Sequence, residues 1–173
     1  MSAPRESEPQ HTASPTGTTR LDAPAATGQE LRAQHRARGR SAVDRAAAMC
    51  RYAGIAEDAA QVVPKDPAAQ AANAVRLSAQ ALARLPEQPL DPAADARCAR
   101  NAAAAAAVVA KAAQDWAGTG DLAERAYRAA ITASMAGGAA AARTAGGRDE
   151  ALNRAADAAE AAAVAAAGAA GWL

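Results

Sequence analysis

Phenylalanine is absent from this chain, and aromatic residues of any kind make up only 2%. With β-branched residues also scarce, an all-β fold has nothing from which to build strands and an inter-sheet core. Two cysteines in 173 residues exclude a disulfide-stapled module. The two histidines, His11 and His35, fall in or beside a leader that reads as disordered, so the helical body is expected to carry no imidazole. That expectation removes Glu-x-x-His metal bundles, zinc-protease helices and histidine-dependent nucleophilic catalysis. Neither a GxxxxGK[ST] phosphate loop nor a GxGxxG turn after a strand is found. Long apolar runs are missing too. The longest uncharged stretches, 129–142 and 161–173, are alanine-rich and fall short of the roughly 20 apolar residues of a membrane span. The opening MSAPRESEPQ lacks the apolar run of a signal peptide, so a cytoplasmic protein is expected. Charge of one sign is also lacking: the formal net charge is +1, and no global field argues for a nucleic-acid or membrane partner.

Alanine dominates instead, at sixty-one residues, leaving twenty-five large apolar side chains. Together with Glu, Lys, Leu and Arg it exceeds half the chain, a composition typical of helical bundles. The basic residues are seventeen arginines against two lysines, a bias that points to a bacterial genome of high GC content. Residues 1–40 are rich in Pro, Ser, Thr, Gly, Gln and Arg, and read as a disordered arm, although the stretch from Glu30 onward could extend the first helix. From Ser41 the punctuation becomes regular. Ser41 with Asp44 is a shortened capping box, and Pro64 closes the helix it opens. Asp66-Pro67 and Asp91-Pro92 each place an N-cap residue before a proline at the first helical position. Pro86 and Gly118 provide the corresponding stops; Asp121, closed by Gly146-Gly147, and Asp149 start two further helices. The prediction is an all-α antiparallel bundle of about five alanine-rich helices over residues 41–173, consecutive helices running in opposite directions.

Three groups of residues stand out within that frame. The segment 32–51 concentrates Arg32, Arg36, Arg38, Arg40 and Arg45 against a single acid, Asp44, and arginines so placed could neutralise phosphates, giving salt-sensitive nucleic-acid binding. No aromatic side chain is interleaved with them for base stacking. A row of small residues, Ala133, Gly137 and Ala141, reads as a close helix–helix contact, within the chain or with a partner, and the chain ends on Trp172-Leu173, which would either dock on the bundle or stand free. Cys50, Tyr52, Cys98, Tyr127 and Met135 fall on apolar faces and are candidates for a small-ligand pocket or, for the cysteines with Arg51 and Arg97 beside them, a thiol pair. The third helix is expected to turn Trp116 inward with Cys98, Ala102 and Val109. Carboxylates at helix starts are explained by capping, leaving Glu57-Asp58 as the acidic pair outside that account.

No catalytic residue, metal ligand or cofactor emerges from these patterns. The function they favour is a non-enzymatic helical interaction protein, an adaptor, regulator or inhibitor-type bundle that docks a protein partner or a second copy through alanine-rich faces. Non-specific nucleic-acid binding by the arginine segment and a bundle pocket for a small apolar ligand are the alternatives.

Overall fold

The computed structural model describes residues 25–56, 67–118 and 120–173. They form five helices: α1 (Gly28–Tyr52), α2 (Pro67–Arg84), α3 (Pro92–Ala117), α4 (Asp121–Ala140) and α5 (Glu150–Ala169), with a short 3-10 turn at Leu85–Glu87 after α2. No strand occurs among the described residues. The bundle is all-α, as its composition requires.

The start of α1 departs from expectation. Thr27 and Glu30 form a complete capping box: the Glu30 amide donates to Thr27 Oγ1 at 3.3 Å, and the Thr27 amide donates to Glu30 Oε2 at 2.7 Å. Ser41 and Asp44, expected to open this helix, lie in its middle. The boundary at residue 40 is therefore displaced, and residues 28–40 belong to the bundle. Thr-x-x-Glu at 27–30 is the stronger signal because glutamate has the reach to return to the cap amide, which aspartate lacks. The polar look of this stretch hid its buried side: Leu31, His35, Arg38 and Gly39 all face inward.

Helix α1 ends at Tyr52, short of the expected stop at Pro64, and Pro64 and Asp66 lie outside the described residues; the caps expected at Asp91 and Asp149 form. The Asp91 carboxylate accepts from the amides of Ala93 and Ala94, and Asp149 accepts from Leu152. Gly118, with φ +80, ends α3. For α4 the N-cap is Gly120 rather than Asp121, and the helix stops at Ala140, before the expected Gly146-Gly147; residues 141–148 form a series of turns.

Contacts set the directions. Arg32 meets Asp95, and a Cβ on Gly39 would fall 3.2 Å from Ala99 Cα, so α1 and α3 run in parallel. Ser41 and Arg45 meet Glu160 while Tyr52 packs on Trp172, so α1 and α5 run in parallel as well. Helices α2 and α4 run the opposite way. Helix α1 lies along α3 and touches α2 and α5, and α4 joins α3 to α5 on the far side.

The core between them is thin. Its fully buried residues are largely alanines, among them Ala42, Ala46, Ala102, Ala106, Ala110 and Ala130, and the larger buried apolar side chains include Met49, Leu82, Leu85 and Val109. Ala71, Val75, Ser78, Leu82 and Leu85 recur at three- and four-residue steps, the spacing of one helical face, and all five are buried along α2 and the turn after it. Burying an alanine methyl contributes about 0.8 kcal/mol, against roughly 1.5–3 for a larger aliphatic, so close helix approach has to supply what side-chain bulk does not.

Candidate functional site

The arginines singled out in the sequence divide sharply. Arg32 donates from Nε to Asp95 Oδ2 at 2.8 Å and from Nη2 to Asp95 Oδ1 at 3.2 Å, with its remaining donors on the Gln88 and Pro89 carbonyls. Arg38 donates from Nη1 to Asp157 Oδ1 at 2.7 Å and from Nη2 to His35 Nδ1 at 2.9 Å. Arg45 grips Glu160 through two parallel bonds, 3.0 Å from Nε and 2.8 Å from Nη2, with both side chains buried. These forks are matched to carboxylates on α3 and α5 and are not available to phosphate. Arg36 is half-buried and Arg40 exposed, leaving one fully exposed cation of the five. Three arginines of the expected phosphate-binding stripe form a structural clamp instead.

The clamp contains the imidazole that was expected to lie off the body. His35 is wholly buried in α1, with Nε2 3.0 Å from the Gly147 carbonyl oxygen. Its pKa is held below the ordinary value, first by burial and then by the Arg38 charge. Gly147 has φ +71, and a Cβ there would lie 2.2 Å from the Pro92 oxygen, so glycine is required for the α4–α5 turn to sit against α3.

The proposed thiol pair is not brought together. Cys50 and Cys98 are not disulfide-bonded. Cys98 is the residue before Ala99, which opposes Gly39, whereas Cys50 lies eleven residues further along the parallel α1, roughly 16 Å at 1.5 Å per residue. Burial pushes the Cys98 thiol up and the Asp95 carboxylate adds to this, outweighing Arg97, so this sulfur is not an activated nucleophile. Tyr52 packs against Trp172 with ring centroids 6.2 Å apart, Tyr127 is half-buried on α4, and Met135 is 71% exposed. Of the five, Tyr127 lines the outer hollow described below.

The small-residue row does make a seam, and it is internal. Ala133 and Gly137 are buried on α4, with Gly137 facing Arg100 and Ala103 of α3, while Ala141 caps the helix and is half-buried. Trp172 docks at 2% exposure. A Schellman turn directs it there: its amide donates to the Ala167 carbonyl and that of Gly171 to Gly168, with Gly171 at φ +73. Leu173 stays exposed. Glu57-Asp58 and His11 lie outside the described residues.

A feature the sequence reading missed is an apolar trough across the outer side of the bundle, where α3, α4 and the start of α2 meet. One part, of about 390 Å³, is lined by Pro67, Ala107, Val108, Ala112, Tyr127 and Ile131 together with the Lys111 and Asp115 side chains. An adjoining hollow of about 410 Å³ shares Pro67, Ala112 and Asp115 with it and adds Ile55 and Trp116. Trp116, expected to point inward, is 69% exposed. It sits at the last turn of α3, beyond the buried stretch that ends at Ala113, and its nearness to Gly118 was the available signal. Met135 stands one turn along α4 from Ile131. The charges of Lys111 and Asp115 in the lining are balanced by their own ion pair.

Among the described residues no group of three or more His, Cys, Asp or Glu side chains is placed to hold a metal ion, and no helix is long and apolar enough to cross a membrane. The chain matches no family model, and comparisons with curated proteins and with solved structures give no significant match.

Proposed function

We propose that this protein is a non-enzymatic interaction module that docks a protein partner or a second copy of itself through the outer face of α3, α4 and the start of α2. The observation that carries the reading is the exposure of Val108 and Trp116 in two adjoining, largely apolar hollows, with Met135 also exposed on α4, on a chain with few large apolar residues to spare. Large apolar side chains left in water around a depression, with its lining charges Lys111 and Asp115 paired to each other, suit a partner that is itself apolar and weakly charged. The face differs from the alanine seam expected from the sequence, because that seam is filled by α3. Nucleic-acid binding loses its main support with the pairing of Arg32, Arg38 and Arg45 inside the bundle.

The test compares the full chain with Val108→Asp and Trp116→Ser, each first shown to be folded by circular dichroism. Sedimentation reports self-association, and capture from nuclease-treated lysate of the native host at two salt concentrations reports partners. A stoichiometric protein partner or a dimer that both substitutions weaken at least tenfold supports the proposal. Assembly unchanged by either substitution, or capture abolished by nuclease and salt, overturns it.

A further inference from the structure

The hydrogen bonds of His35 admit one protonation state. Arg38 Nη2 lies 2.9 Å from His35 Nδ1, and a guanidinium can only donate, so Nδ1 is the acceptor. The proton must then sit on Nε2, which donates to the Gly147 carbonyl at 3.0 Å. That carbonyl also accepts from Asn153 Nδ2 at 3.0 Å, tying the ring to the first turn of α5. A second proton, on Nδ1, would turn an N–H toward the guanidinium and set two cations in contact within a site closed to water.

We infer that His35 is a proton-operated latch, holding the N-terminal half of α1 on the α4–α5 turn while its imidazole is neutral and releasing it when Nδ1 takes a proton. The released group is Arg38, whose displacement also breaks its bonds to Asp157 and the Asn153 carbonyl, which together with the Gln34–Asp157 bond hold this part of α1 on α5. The α4–α5 turn cannot follow by small adjustment, because Gly147 is wedged against Pro92 of α3. The groups facing the ring from every side are Arg38 on α1, Asp95 on α3 and Asp157 on α5, and both carboxylates favour the charged ring. Burial and Arg38 oppose them and prevail, so the His35 pKa lies below its ordinary 6.5. The sign follows: the contact is intact above pH 6.5, and its contribution is lost as pH falls from there toward the lower folded value. Further down α1, the Arg45–Glu160 pair holds no histidine and keeps the C-terminal half in place.

The test follows the imidazole and the backbone of the full chain between pH 7.5 and 5.0. Imidazole nitrogen NMR on wild type and on His11→Ala, which leaves a single ring, should show His35 as the Nε2–H tautomer titrating below 6.5. Hydrogen exchange, corrected for intrinsic rates, should rise at least tenfold in 31–39 and 148–157 as the ring titrates, with 42–50 unchanged, and His35→Gln should abolish that rise. An Nδ1–H tautomer, titration at or above 6.5, or a rise shared equally by all helices would overturn the proposal. Should His35→Gln fail to fold, the tautomer and the regional pattern in the wild-type chain still decide.

Discussion

Gly39, in the middle of α1, and Gly137, in the last turn of α4, both face α3, yet their surroundings demand opposite outcomes from the same substitution. A Cβ on Gly39 would lie 2.7 Å from Leu82 Cδ2 and 3.2 Å from Ala99 Cα, a backbone atom that cannot step aside. Gly39→Ala should cost about 1–3 kcal/mol through overpacking. At Gly137 the nearest atoms would be 3.6 Å and 3.9 Å away, ordinary contact, so Gly137→Ala should gain about 0.5–1 kcal/mol from helix propensity. Urea midpoints of the two variants, measured side by side, check both signs. The sequence presents these glycines alike, and it highlighted Gly137, the one that is not sterically required. What distinguishes them is the distance to a neighbouring helix, which no local pattern encodes. Trp116 and Met135 carry the same lesson in reverse, because periodicity placed them on apolar rows without showing where the neighbouring helix ends.

At the scale of elements, α1 is the helix most affected by what its neighbours supply. Its stripe Arg38, Ser41 and Arg45 faces the stripe Asn153, Asp157 and Glu160 on α5, each set recurring at three- and four-residue steps. These carboxylates lie beyond the helix start, where capping does not explain them, and that was the legible hint. Their pairing partner was not legible, since 115 residues separate Arg45 from Glu160. Glu160→Ala should cost about 3–5 kcal/mol, because it strands a buried guanidinium, whereas Arg45→Met with Glu160→Leu should be near neutral or stabilising. Thermal melts of the single and double variants distinguish a specificity device from a simple source of stability. Truncation supplies the matching test of the helix boundary. A chain beginning at residue 41 keeps the region first read as the whole bundle but loses Leu31, Arg32, His35, Arg38 and Gly39 from the α1 interface. It should melt well below the full chain and with reduced cooperativity. An unchanged melt would restore the boundary at 40.

For the molecule as a whole, the thin core makes the outer trough informative. Val108 and Trp116 are 49% and 69% exposed, so Val108→Asp and Trp116→Ser should shift folding stability by no more than about 0.5 kcal/mol. Trp172 at 2% exposure is the contrast, and Trp172→Ala should cost about 3–5 kcal/mol by opening a cavity beside Tyr52. Chemical denaturation of the three variants separates the tryptophan that completes the fold from the tryptophan left in water. By itself the sequence determined the helical class, the helix starts at Asp91 and Asp149, the inward face of α2 and the absence of strands among the described residues. These follow from side-chain entropy, cap chemistry and a period of 3.6, all of which act within a few residues. The tertiary structure alone decided which helices α1 packs against, that Arg32, Arg38 and Arg45 close on acids within the bundle, that His35 is buried in one tautomer, and which tryptophan faces water. Those outcomes depend on which surfaces meet, and with so much of the chain alanine, many faces are chemically alike until long-range charge pairs and close glycine contacts select among them.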